Sequence, residues 1–169
     1  MKVIIVSYKY EKYFINWLIS KYTGIFNPNS EPSSHIEIGL PIFGKLTFFS
    51  STNRDGAKGT RWASPQKVLK NPLRWDYYVR EYTEEDTLDM VKRADSILDC
   101  DYDWLGIAGF VTPFGLFNYK EKWYCSEACW YALKGRWKRR ISPRRFIQRI
   151  KRLGFKKVSY NLVQPYLKT

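Results

Sequence analysis

Two segments limit what this chain can fold into. In Ser33-Ser34-His35-Ile36-Glu37-Ile38-Gly39-Leu40 polar and apolar side chains alternate, the period of a β-strand. Ninety residues after the histidine, Trp123-Tyr124-Cys125-Ser126-Glu127-Ala128-Cys129-Trp130-Tyr131-Ala132-Leu133 is an apolar run opened by a cysteine, and it reads as a helix. A thiol at a helix N-terminus is biased toward thiolate, because unpaired N–H groups and the helix dipole favour negative charge there. His35 is the only histidine in the chain. On a strand facing that helix it could take the thiol's proton, the pairing of a cysteine nucleophile and its base.

The rest of the chain reads as an α+β domain. Val3 to Ser7 is a strand, and Phe14, Trp17, Leu18 and Tyr22 stripe a helix over Glu11 to Tyr22. Residues Gly24 to Ser34 form a loop leading to the histidine strand, Pro41 to Gly44 a turn, and Lys45 to Ser51 the returning strand. Thr52 to Ala63, with two glycines, is an irregular loop near the site. Arg74 to Arg80 is a further strand. Thr83 caps a helix that has Glu84, Glu85 and Asp86 in its first turn, with Leu88, Val91, Ala94, Leu98 and the adjacent Ile97 as its inner face. Trp104 to Phe110 is a short helix and Val111 to Tyr119 a loop. Ser142-Pro143 starts a helix to Leu153, Gly154 stops it, and Lys156 to Leu162 is a last strand.

Five short motifs in order carry a family resemblance: Ser34-His35-Ile36-Glu37-Ile38, Phe49-Ser50-Ser51-Thr52-Asn53-Arg54-Asp55-Gly56, Tyr102-Asp103-Trp104-Leu105-Gly106, Tyr124-Cys125-Ser126-Glu127 and Ser142-Pro143. The chain resembles the circularly permuted NlpC-type, YiiX-like papain-fold cysteine hydrolases, which include small phage-encoded and bacterial members. The histidine precedes the cysteine, whereas papain has the cysteine first. The resemblance implies one permuted papain-like domain over residues 1–169. Its antiparallel sheet would pack against helices, and the chemistry would be that of a peptidase or amidase on peptide or cell-wall material. Thioesterases and lipid acyltransferases of the wider group extend this to acyl esters and thioesters.

Cys125 is the nucleophile of this reading and His35 its base. Glu37, two residues along the strand, faces the same side as His35 and can orient the imidazole, or else pair with one of the many arginines. Permuted relatives often carry a polar or acidic third residue on the next strand; this chain offers Ser50 and Ser51, whose hydroxyls would orient His35 more weakly than a carboxylate. Trp123, Tyr124, Arg54 and Glu127 are placed at the substrate cleft, and Cys129, one turn after Cys125, in the core. A rival reading gathers Cys100, Cys125, Cys129 and His35 as four zinc ligands, but tight Cys-x-x-Cys knuckles are absent, so no metal or cofactor is assigned.

At 169 residues and 44% hydrophobic, the chain is long enough and apolar enough for one buried core. Three cysteines, an odd count, fit a reducing compartment. The N-terminal apolar run is too short for a signal peptide or a transmembrane segment. The expected location is therefore cytoplasmic, including that of an infected host cell, or virion-associated. Of the 29 Lys and Arg residues, thirteen lie between Ala128 and Thr169, where there is no Asp or Glu, so the net charge of +13 belongs to the C-terminal quarter. That basic part, densest over residues 134–157 and including Arg139, Arg140, Arg144 and Arg145, is either a solvated surface or a site for an anionic partner. Nucleic acid, anionic lipid and an acidic polymer all suit it. The second functional reading is thus an inactive binding module acting through this face on nucleic acid or a host protein.

Overall fold

The computed structural model describes residues 1–9, 33–53, 56–103, 122–136 and 141–167. The expected helix Glu11–Tyr22, most of the loop before Ser34, the short helix Trp104–Phe110 and the loop Val111–Tyr119 lie outside the described residues.

Six antiparallel strands form the main sheet in the order β4-β3-β2-β1-β5-β8. Strand β1 (Lys2–Tyr8) occupies the middle, and its unbroken Val3-Ile4-Ile5-Val6 run matches burial on both faces. Val3 and Ile5 enter one apolar cluster with Ile36, Ile38, Phe49, Cys129 and Phe146, while Ile4 and Val6 enter a second with Phe48, Trp75, Tyr77 and Val163. Strand β2 (His35–Ile42) pairs with β1, bringing His35 opposite Tyr8, and turns back into β3 (Lys45–Thr52).

That hairpin is tighter than the expected turn at Pro41–Gly44. Pro41 and Ile42 stay in the strand opposite Leu46 and Lys45, and only Phe43 (φ 47°) and Gly44 (φ 75°) turn. Positive φ at both central residues is the geometry that matches strand twist.

The segment Thr52–Ala63 is not wholly loop: Gly59–Ala63 is strand β4, paired with β3 so that Arg61 lies opposite Ser50. Gly59 has φ 132°, and a Cβ there would lie 1.9 Å from the Cys100 carbonyl oxygen, so only glycine lets the two backbones meet. Thr60 N–H donates to that same carbonyl at 2.9 Å. Short helix α1 (Pro65–Val68) and a 3-10 turn (Pro72–Arg74) lead into β5 (Trp75–Glu81).

Helix α2 (Glu84–Asp95) starts as expected, with the Thr83 hydroxyl accepting from Asp86 N–H. Of the expected inner face, Ala94 and Ile97 are buried and Val91 packs against the core, but Leu88 is 52% exposed and Leu98 lies at the surface, and Thr87 and Met90 face inward in their place. Burying Thr87 is cheap because its hydroxyl donates to the Thr83 carbonyl at 2.8 Å.

Two-residue strands β6 (Asp101–Tyr102) and β7 (Lys122–Trp123) pair in parallel and deliver the chain to helix α3 (Cys125–Lys134), which ends at Gly135 in the left-handed region. Helix α4 (Pro143–Arg152) is capped by Ser142, whose hydroxyl accepts from Arg145 N–H, and Gly154 follows it at φ 88°. The expected last strand is only Lys156–Val158 (β8), and the chain then turns into helix α5 (Tyr160–Leu167). Val163 and Leu167, one turn apart, bury α5 against the sheet. No helix among the described residues is long and apolar enough to cross a membrane.

Candidate active site

Helix α3 lies against β2 and β3, on a face made of Ala128, Cys129, Ala132 and Leu133. Small residues at 128, 129 and 132 let its backbone come close to the sheet. Cys129 shows how close: its sulfur is 3.6 Å from both the Ile36 and the Phe49 carbonyl oxygens. Burial pushes the Cys129 thiol well above its usual range, and Cys125 and Glu37 add to that. It is a neutral packing group, as the sequence places it.

Cys125 is the first residue of α3 and His35 the first of β2, so the two elements start at the same place. Both side chains are almost wholly buried. The Tyr124 N-cap makes no side-chain hydrogen bond to the helix start.

The imidazole is engaged by two neighbours. Its Nε2 lies 3.0 Å from Glu37 Oε1, and the Cys125 side chain is near enough to act on the ring electrostatically. Burial disfavours the imidazolium, but the Cys125 thiolate and the Glu37 carboxylate outweigh it, and the His35 pKa is raised above its ordinary value. Trp75, whose ring centroid is 6.3 Å from that of His35, stands edge-on to the imidazole and in turn against Tyr8.

Sequence reasoning missed Arg61. From β4 it forks onto Glu37, with Nη1 donating to Oε2 at 2.8 Å and Nη2 to Oε1 at 2.6 Å. Burial would push the Glu37 carboxyl up, yet Arg61 and His35 hold it down at about 2. Glu37 thus touches both the imidazole and an arginine, and it does so buried, not as the surface partner that the second reading expected. The only signal in the sequence was the strand parity that puts Arg61 and a buried carboxylate on facing rows. It was hidden because Gly56 and Gly59 marked the segment as loop.

Other expected members sit elsewhere. Ser50 donates to the Ile36 carbonyl at 2.7 Å and Ser51 to the Trp123 carbonyl at 2.6 Å, so these hydroxyls tie strands and helix entry together instead of meeting His35. Trp123 and Tyr124 are buried to the same degree as Cys125 and His35, and the Trp123 ring centroid lies 5.2 Å from that of Tyr131. Glu127 is buried as well, and the Tyr124 hydroxyl is pushed well above its usual range first by burial and then by that nearby carboxylate. Arg54, Arg139 and Arg140 lie outside the described residues. Arg145 is exposed and Arg144 partly buried, both in the first turn of α4. Among the described residues no group of three or more His, Cys, Asp or Glu side chains is gathered to hold a metal, and Cys100, Cys125, Cys129 and His35 do not form one.

The six-stranded antiparallel sheet with α3 against β2 and β3 defines a mixed α+β fold. A solved structure similar to it is the metalloprotein yiiX from Escherichia coli O157:H7, at a TM-score of 0.53 and 15% sequence identity over 79% of this chain. The match covers 63% of yiiX, so this chain spans less than two-thirds of that protein's length. At that identity the likeness is one of fold. No family model matches the chain, and no curated protein matches it in sequence.

Proposed function

We propose that this protein is a cysteine-dependent acyl hydrolase, of peptidase or amidase type with esters and thioesters as further substrates. The reading rests on one observation: a thiol at the start of α3 shares an imidazole with a carboxylate that is itself clamped by an arginine.

In this mechanism His35 Nδ1 takes the Cys125 proton and the thiolate attacks the substrate carbonyl carbon. Backbone N–H groups at the start of α3 would receive the developing oxyanion. Collapse of the tetrahedral adduct breaks the bond to the leaving amine or alkoxide, which takes the proton from the imidazolium. A water molecule, deprotonated by His35, then attacks the thioester; the acid leaves and the proton returns to Cys125. Glu37 keeps Nε2 protonated and favours the imidazolium, while Arg61 keeps Glu37 ionised, so the proton stays on the ring.

The yiiX protein is a metalloprotein. The residues here do not fit a metal at the corresponding chemistry: Glu37 has both oxygens on Arg61, and among the described residues no third ligand joins His35 and Cys125. No step is routed through a metal.

Iodoacetamide labelling followed by peptide mass mapping tests the nucleophile. Cys125 should be alkylated near neutral pH, Cys129 should stay unmodified in the folded protein, and His35→Ala should slow labelling of Cys125. Equal labelling of Cys125 in wild type and His35→Ala would remove the pair.

A further inference from the structure

Helix α4 carries a charged surface that the proposed reaction does not use. Pro143, Phe146, Ile147 and Ile150 bury one side of it. The remaining arc consists of Arg144, Arg145, Gln148, Arg149, Lys151 and Arg152, with no apolar and no acidic residue. Arg145, Arg149 and Arg152, at i, i+4 and i+7, form a stripe about 10 Å long. Among the described residues no carboxylate pairs with these three. The Arg149 guanidinium lies 5.4 Å from the centroid of the Trp130 ring, which fixes its direction without neutralising it.

Helix stability does not explain this pattern. Basic residues suit the last turn, but Arg144 and Arg145 stand in the first turn, where the dipole disfavours cations and where α4 has no acidic residue. Solubility alone would not select arginine over lysine, yet four of the five cations on this helix are arginines.

We infer that the arginine face of α4 binds the phosphate backbone of nucleic acid without reading its sequence. Guanidinium groups fork onto phosphate oxygens, which lysine cannot do. A stripe about 10 Å long faces about three phosphates along one strand of a duplex, at one charge per roughly 3.4 Å of axis. An interfacial membrane helix would need an apolar face free to enter the lipid, and the apolar face of α4 is committed to the core.

The test is fluorescence anisotropy of the full chain with a mixed-sequence duplex of roughly twenty base pairs, across a salt series from about 0.05 M upward. The wild type should bind with log K falling against log salt at a slope of about −3 or steeper. Arg145→Gln/Arg149→Gln/Arg152→Gln should flatten that slope by about 2.7, and the corresponding triple lysine variant should keep the slope while losing affinity. Because Arg149 packs on Trp130, Arg145→Gln alone is a second probe that cannot disturb the core, and it should flatten the slope by about 0.9. No binding at about 0.05 M salt, or an unchanged slope in Arg145→Gln and in a folded triple variant, overturns the inference. Sedimentation with phosphatidylserine vesicles runs in parallel; capture by vesicles without binding to the duplex assigns the face to lipid and overturns it equally. None of these outcomes depends on whether Cys125 is a nucleophile.

Discussion

The start of β2 and the outer face of α4 both carry charge, but they treat it in opposite ways. At β2 the charges are buried, and each is held by a partner: Cys125 to His35, His35 to Glu37, Glu37 to Arg61. On α4, Arg145 and Arg152 are exposed and Arg149 is half-covered by Trp130, and no carboxylate pairs with any of the three among the described residues. An ion withdrawn from water needs a partner within hydrogen-bonding distance, so a buried network is fixed in geometry and sensitive to any deletion. An exposed cation is solvated already and can be exchanged or removed at little structural cost. The first arrangement suits chemistry on a held atom; the second suits a partner that arrives and leaves.

The sharpest way to break this contrast is at the buried end. Cys125→Ala and His35→Ala should each lower hydrolysis of an activated acyl substrate by on the order of 10⁴-fold, leaving the far-ultraviolet circular dichroism unchanged. Substantial activity in either variant would take the chemistry away from β2.

Next in size is the clamp. Arg61→Ala leaves an ionised carboxylate buried and half-paired, and should lower unfolding free energy by about 3 kcal/mol in urea titration. Replacing both partners, in Glu37→Gln/Arg61→Met, should cost less than Arg61→Ala alone, because no orphan charge remains. The sign with pH follows from the lowered Glu37 pKa: its stabilisation is complete above the unfolded carboxyl range and lost as pH falls from about 4.5 toward 2. Arg61→Ala lacks most of that acid-labile term, so its stability deficit against the wild type should narrow as pH falls through this range. Equal costs for single and double variants would mean the fork is decorative.

A smaller effect is expected from Glu37→Gln on the reaction itself. Turnover should fall on the order of a hundredfold, by more than in Ser50→Ala or Ser51→Ala. The raised His35 pKa places the alkaline limb of the pH–rate profile above the usual histidine range. Removing the carboxylate withdraws an influence that raises that pKa, so the limb should move to lower pH. A limb that stays in place would leave Glu37 as a structural partner of Arg61 alone.

How much of this was legible in the sequence depended on whether a feature is local. Strand β2, the Thr83 and Ser142 caps, and the Gly135 and Gly154 terminations follow from neighbouring residues, and local patterns named all but the Gly135 end. The inner stripe of α2 was right at Val91, Ala94 and Ile97 but wrong at its ends, because Leu88 and Leu98 looked better buried than Thr87, whose hydroxyl donates to the Thr83 carbonyl. Helix α5 was hidden behind Val158 and Pro165, which argue for a strand or a break; three residues do pair with β5 before the helix begins. Arg61 was out of reach because its partner is 24 residues away on a non-adjacent strand. A side chain's electrostatic partner is a property of the sheet order, not of the segment.

That sheet order carries a consequence for how the molecule assembles. Strands β2, β3 and β4 follow one another as a local meander, and β5 and β8 form the other side; β1 alone joins them, hydrogen-bonded to β2 on one edge and to β5 on the other. Tyr8 meets His35 and Trp75 in one row of that seam. The ring that stands edge-on to the imidazole therefore belongs to one half and the imidazole to the other. Closing β1 onto β5 spans most of the first half of the chain, a non-local contact of the kind that slows folding. Until that seam closes, His35 lacks the Trp75 wall, so the site matures in the last stages of assembly instead of being inherited from the hairpin that bears it.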